Sequence, residues 1–394
     1  MKPLKAYLNF LTYQLNRATH RTPVDNFPVL AFVDPTLFCN LRCPACPTGV
    51  QAGLRPKATL QWELYQKFMD EVGDYLFKLY LYNLGEPLLH KQAPEMIRYA
   101  KEKEIFVMLS SNLSLHLSDE SIQKLILSGL DVLIVALDGI TPETYQKYRR
   151  QGDFDLVTGN MKRIQAMKRV LGYQTPTIIW QFLIFQHNEH EIDTVCKEYK
   201  AWGADEYFMG GAYMPVGDMA AGFSPSTLPR YNIYDTTHLH RKKAEQAAVQ
   251  GKACSWLYGA TVLNPNGKIS PCSYTAAEKD DFGEYSRDQD FLSVWNGEQY
   301  ARARKFMAQK DGAWRGPDSW EAILQRINGR GMSVPLQPGQ ILCERCPVPI
   351  LQDALDQELT FEPSDLFQYI ERTYELSPEE RQQLEFLKTA LTPQ

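Results

Sequence analysis

Val29-Leu30-Ala31-Phe32-Val33, followed closely by Phe38-Cys39-Asn40-Leu41-Arg42-Cys43-Pro44-Ala45-Cys46-Pro47, is the stretch on which the fold turns. The first run is short, apolar and partly β-branched, which reads as a strand covered on both faces. It delivers three cysteines onto one loop at its C-terminal end. Comparable runs follow at residues 77–82, 105–109, 132–137, 177–185 and 206–209. The segments between them carry helical signals. Leu64, Tyr65, Phe68, Met69 and Val72 share one helical face, Ser118 is placed to cap a helix, and Thr141 with Pro142 opens another. Strand–helix units in this succession call for a parallel α/β sheet with right-handed crossovers. They are too few for a closed eightfold barrel, which leaves an open partial barrel or a doubly wound sheet. In either, chemistry gathers at the C-terminal strand ends.

Composition narrows the classes. A chain of 394 residues suggests two or three domains. Lys plus Arg is 42 and Asp plus Glu is 47, a net charge of 42 − 47 = −5. That balance predicts no general attraction to nucleic acid or an anionic membrane. With 44% hydrophobic and 23% charged residues, disorder, collagen and a disulfide-stapled miniprotein are excluded. No apolar run approaches the ~18 residues of a membrane span, and the first 22 residues are too polar for a signal peptide. The expectation is a cytoplasmic protein whose eight cysteines are thiols or ligands.

Five regions follow from the pattern. Residues 1–28 hold an amphipathic helix through Leu4, Tyr7, Leu8, Leu11 and Leu15, expected to pack on the α/β unit of residues 29–212. Residues 213–253 form a loop-rich bridge. Residues 254–350 hold a second cysteine set and a hairpin, with Asn264-Pro265-Asn266-Gly267 as its turn. Within them, residues 308–339 with Trp314 and Trp320 read equally as a substrate entrance or a surface elaboration. Residues 351–394 are helical, with Ser377-Pro378-Glu379-Glu380 as a capping box. Cys196 reads as a buried structural thiol, and His187, His190, His238 and His240 as solvent-exposed.

Cys39, Cys43 and Cys46 can ligate three irons of a [4Fe–4S] cluster and leave the fourth open to a small ligand. A zinc site completed by a remote residue, or three buried thiols, compete with that reading. The spacing after a first strand resembles the signature of the radical S-adenosylmethionine (SAM) superfamily. The resemblance implies a partial (β/α)6 barrel whose open iron chelates exchangeable SAM. A reductant such as flavodoxin or ferredoxin supplies the electron that cleaves SAM, and the resulting 5′-deoxyadenosyl radical takes hydrogen from a substrate C–H bond. Later strand ends are similar to the family's as well. Leu84-Gly85-Glu86-Pro87 looks like the motif that holds the SAM amino group. Ser110-Ser111-Asn112 and Ala136-Leu137-Asp138-Gly139 match cofactor-side positions, and Arg149 lies where relatives place an arginine near the SAM carboxylate. Ala45 and Ala136 depart from the family's usual aromatic residue and serine. Gln181 and Asn188 are candidate cavity liners, or satisfy local backbone groups.

Cys254, Cys272, Cys343 and Cys346 make a credible four-thiolate set for zinc or iron–sulfur. Cys254, the Pro265-to-Cys272 stretch and Val294-Trp295-Asn296-Gly297 resemble a SPASM or twitch-like extension, which implies one auxiliary, fully ligated [4Fe–4S] cluster that passes electrons. The resemblance implies modification of a ribosomally made peptide. Radical oxidation or decarboxylation of an aminocyclitol or nucleoside sugar is the alternative, and a non-catalytic zinc or iron–sulfur redox module the rival from another class. Residues 1–28 are short for a leader-binding domain, so a peptide substrate would call for a small leader-binding partner.

Overall fold

The computed structural model describes residues 2–50, 53–212, 222–232, 254–309, 343 and 361–391. Its strands are β1 Leu30–Val33, β2 Lys78–Tyr80, β3 Phe106–Ser111, β4 Val132–Ala136, β5 Thr177–Ile184, β6 Glu206–Gly211, β7 Ala260–Leu263, β8 Lys268–Ser270 and β9 Gly283–Glu284. All belong to one sheet ordered β6-β5-β4-β3-β2-β1-β7-β8-β9. From β1 to β6 every pairing is parallel and follows chain order. A doubly wound sheet reverses its order partway; this one does not, so the α/β unit winds as a barrel does.

The first helices are α1 Leu4–Ala18, α2 Trp62–Val72, α3 Ala93–Glu102, α4 Asp119–Leu127, α5 Pro142–Tyr148, α6 Phe154–Leu171 and α7 Ile192–Glu198. Of the five residues expected on the apolar face of α2, Tyr65, Phe68, Met69 and Val72 are buried. A buried side chain such as Phe68 contributes about 1.5–3 kcal/mol by leaving water, so Phe68→Ala would loosen α2. Ser118 accepts the Ser121 N–H at 3.1 Å and Thr141 that of Thr144 at 3.2 Å, and both helices start where their caps place them.

Coverage on both faces holds for β7 and for most of β1 and β4, but not for β5. Along β5, Ile178, Trp180, Phe182 and Ile184 are buried beneath helices, whereas Ile179, Gln181 and Leu183 are half-exposed on the other face. Helices cover one face; the other is the inward face of the wound sheet, buried near β1 and β7 and half-exposed along β5.

The hairpin forms as expected, with Gly267 at φ +82° in its turn. Its placement is the surprise. β7 pairs in parallel with β1, so the second cysteine region extends the barrel's own sheet. Helix α1 packs as expected. The Tyr7 ring lies 5.3 Å from Phe77 on one side and 5.3 Å from Tyr369 of the helix Pro363–Thr373 on the other. The last helix, Pro378–Leu391, begins at the Ser377–Glu380 capping box, with both reciprocal hydrogen bonds present. No described helix is long and apolar enough to cross a membrane.

Candidate active site and cysteine centres

The loop after β1 folds back tightly on itself. Cys46 N–H donates to the Cys43 carbonyl at 3.2 Å and Val50 N–H to that of Cys46 at 2.9 Å. A Cβ at Gly49 would lie 2.4 Å from the Cys43 carbonyl oxygen, so only glycine closes this loop. Cys43 is buried, and Cys39 and Cys46 are half-buried. They pack with Leu41, Ala45, Tyr148, Phe185 and Phe223. The aromatic surface that position 45 lacks in sequence is thus present in space.

The strand ends meet around this loop. At β2, Gly85 passes so close to β1 that a Cβ would lie 1.6 Å from the Thr36 carbonyl oxygen. Buried Glu86 donates its N–H to Phe38 O at 2.9 Å. Its carboxylate accepts from Ser111 Oγ at 2.7 Å, Asn112 N–H at 2.8 Å and Leu88 N–H at 3.1 Å. Glu86 therefore ties the ends of β2 and β3 to the residue before Cys39. Burial pushes its carboxyl up, against these donors and the Arg149 charge. Asn112 donates to Asn40 Oδ1 at 3.0 Å and points the same amide at Cys39 Sγ, 3.9 Å away.

At β4, fully buried Asp138 accepts Leu183 N–H at 2.7 Å and Arg149 Nε at 2.6 Å. Arg149 also reaches Cys43 Sγ at 3.9 Å. Burial alone would lower the Arg149 pKa; Asp138 and Cys43 overcome that and raise it, so the guanidinium stays charged. Pro87 sits in the turn that Glu86 caps. Asn188 is buried and spends its amide on Leu183 O, Asp138 O and Phe185 N–H, a backbone brace rather than a cavity liner. Gln181 stays on the half-exposed inward face of β5.

These residues fit a cubane held by three sulfurs. Burial pushes the Cys39 thiol up to about 12 and that of Cys43 upward as well. Such thiols give up their protons when metal ligation supplies positive charge, and the N–H groups of Leu41, Asn112 and Arg149 face the sulfurs that would carry the charge. Among the described residues no three Cys, His, Asp or Glu side chains group as ligands of a single ion.

The second set is assembled from distant segments. Cys254 and Cys272 both pack against the inward cluster of Leu30, Tyr80, Trp256, Ala260 and Val262. Cys272 and Cys343 both lie within electrostatic reach of buried Tyr300. Fully buried Arg304 organises this region, donating to Leu257 O and Trp295 O at 2.9 Å each. Cys346 lies outside the described residues, as do His238, His240, Trp314 and Trp320. Two expectations change. Cys196 is half-buried, with its thiol against Tyr207. His187 is packed between Phe185 and Phe223, and burial followed by the Lys147 charge lowers its pKa to about 4. An aromatic-flanked histidine was the available signal.

Asp34, just past β1, escaped sequence reasoning. It is fully buried, accepts Leu84 N–H at 2.9 Å, and is pushed up to about 7 by burial, against backbone donors and the Arg55 charge. An acidic residue straight after an apolar strand would have flagged it.

Comparison with known proteins agrees with this geometry. Residues 33–198 match the Radical SAM superfamily and residues 254–316 the SPASM iron–sulfur cluster-binding domain. The chain is 25% identical over 312 residues to an AdoMet-dependent heme synthase of Methanosarcina barkeri, covering 71% of this chain and 85% of that one. It is 22% identical over 384 residues to a PqqA peptide cyclase of Xanthomonas axonopodis, covering 91% and 98%. Its fold resembles that of Streptococcus suis SuiB, solved with the precursor peptide SuiA, at TM-score 0.53 and 13% identity over 74% of this chain and 70% of that one. The protein belongs to the radical SAM superfamily. It is an enzyme of the branch that carries a SPASM domain, with SAM and iron–sulfur clusters as cofactors.

Proposed function

We propose that this enzyme modifies a peptide, taking hydrogen from a residue whose apolar side chain enters the barrel lumen. When bound, the cluster and SAM supply a 5′-deoxyadenosyl radical. The chain itself supplies the sulfurs of Cys39, Cys43 and Cys46, the braces Gly85, Glu86, Pro87, Asn112, Asp138 and Arg149 around them, and walls that keep water from the reaction.

The observation that carries the substrate reading is the lumen's lining. Phe32 and Tyr80 stack at 4.3 Å, and Trp256 lies 5.4 Å from Phe32. Tyr80 and Trp256 are buried, and the half-exposed inward residues are Phe32, Met108, Ile134 and Leu183, interrupted by Ser110 and Gln181. Such a wall leaves most hydroxyls of an aminocyclitol or sugar unpaired, at a cost for each one. The PqqA peptide cyclase relatives, named for a peptide, support the same reading. The heme synthase relative and the stacked Phe32–Tyr80 pair favour a second reading, a flat macrocycle on the same wall. A reductant such as flavodoxin or ferredoxin, a small leader-binding partner and a cytoplasmic setting complete the proposal.

The test is 5′-deoxyadenosine formation by the anaerobically reconstituted enzyme. The probes are short peptides with ring-deuterated or side-chain-deuterated aromatic residues, an aminocyclitol, and iron coproporphyrin. Peptide-stimulated turnover with deuterium in the product is expected. Stimulation by the aminocyclitol alone overturns the reading, and stimulation by the porphyrin alone replaces it with the second. Equal peptide binding with and without an added partner protein removes the partner.

A further inference from the structure

We propose that Arg55 is a positioning residue, a buried latch that fixes the auxiliary-cysteine hairpin against the root of the first cysteine loop and so sets the spacing of the two cysteine centres. The inference rests on the reading of Cys254, Cys272, Cys343 and Cys346 as an auxiliary-cluster site.

Arg55 follows the first cysteine loop, yet its side chain is only 3% exposed and that of its partner Asp281 only 4%. The pair is a two-pronged fork, with Nη1 to Oδ2 at 2.5 Å and Nη2 to Oδ1 at 2.7 Å. The same Asp281 oxygen accepts from Ser270 Oγ at 2.5 Å, and that hydroxyl accepts from Asn264 Nδ2 at 2.7 Å. Ser270 closes β8 two residues before Cys272. Beside the fork, Glu278 N–H donates to Leu54 O at 2.9 Å.

The other side of the latch leads to the first loop. Leu37 N–H donates to Ala58 O at 2.9 Å, Leu60 N–H to Pro35 O at 2.9 Å, and Thr36 bridges to Thr59. The segment carrying Arg55 is thereby laced to the residues just before Cys39. The Arg55 charge also acts on buried Asp34 at the end of β1. One guanidinium thus pairs with an aspartate of one half and lends charge to an aspartate of the other. β7 joins the halves at the strands, and the fork holds the part of the hairpin that carries Cys272. Bidentate geometry fixes orientation as well as charge, which a lysine cannot reproduce.

The test uses full-length, anaerobically reconstituted protein as wild type, R55K, R55M and D281N. Pulse EPR of the fully reduced protein reads the magnetic coupling between clusters, and amide exchange reads residues 278–284. In R55M and D281N the coupling should weaken or spread, and exchange in 278–284 should quicken at least tenfold while 132–136 is unchanged. R55K should fall with the broken variants, because charge without the fork does not hold the hairpin. Wild-type coupling and exchange in R55K and R55M overturn the latch, and wild-type behaviour of R55K alone reduces it to charge neutralisation, which overturns positioning. If R55M does not fold, R55K and D281N carry the test. An iron count showing one cluster sinks the auxiliary-cluster reading, while the exchange arm still decides the latch.

Discussion

The two cysteine centres are built on opposite plans. The first takes its sulfurs from Cys39, Cys43 and Cys46 on one loop that closes on itself around Gly49. The second draws on Cys254, Cys272 and Cys343 from separate segments, near a hairpin, Tyr300 and Arg304. A local loop needs little help to be ready for a cluster, whereas a dispersed site depends on every element that brings its parts together. The first offers three sulfurs from one short stretch, and in the proposed reading the second adds Cys346 to reach four.

The strongest break of that comparison is Cys43→Ala set against Cys272→Ala. Cys43→Ala should abolish 5′-deoxyadenosine formation and remove about half of the roughly eight irons expected for two cubanes. Cys272→Ala should lose a similar share of iron yet keep SAM cleavage within about tenfold in the absence of substrate. Loss of all iron from either variant would mean the centres are not independent.

Next in size is Arg149→Met. It leaves Asp138 as an uncompensated buried carboxylate beside the first loop, an effect of about 3–5 kcal/mol, read by denaturant unfolding. Glu86→Gln is expected to be milder, about 1.5–3 kcal/mol, because the amide keeps the shape but not the charged acceptor for Asn112, Ser111 and Leu88. If Glu86→Gln equals wild type, the strand ends are held by packing alone.

The smallest effects are two opposed pH dependences. Asp34, raised to about 7, stabilises fully below about pH 4, and that share is lost as pH climbs toward 7. His187, lowered to about 4, does the reverse: the unfolded chain binds the extra proton between about pH 4 and 6.5, so stability rises with pH there. The two offset in the wild type. Melting temperature against pH should slope more steeply upward in Asp34→Asn, and in His187→Phe should lose an upward component. Parallel curves for all three proteins would refute both assignments.

Legibility followed locality here too. Runs of apolar residues and caps such as Ser118 and Thr141 are written within a few positions, and the barrel strands and their helix starts formed where those signals lay. The pairing of β7 with β1 joins residues more than two hundred positions apart and leaves no local trace. Arg55 and Asp281 look like surface charges until the fold buries them together. Gly49 is one glycine among 24, distinguished only by the carbonyl it must clear.

The long reach of β7 has a consequence for biosynthesis. Among the described strands, one flank of β1 has no other partner, so it stays bare while residues 34–259 are made. At ribosomal speeds of about 5–20 residues per second that interval lasts roughly 10–45 s. During it the nascent barrel carries an open inner strand, the kind of edge that recruits another chain, until the hairpin emerges to occupy it.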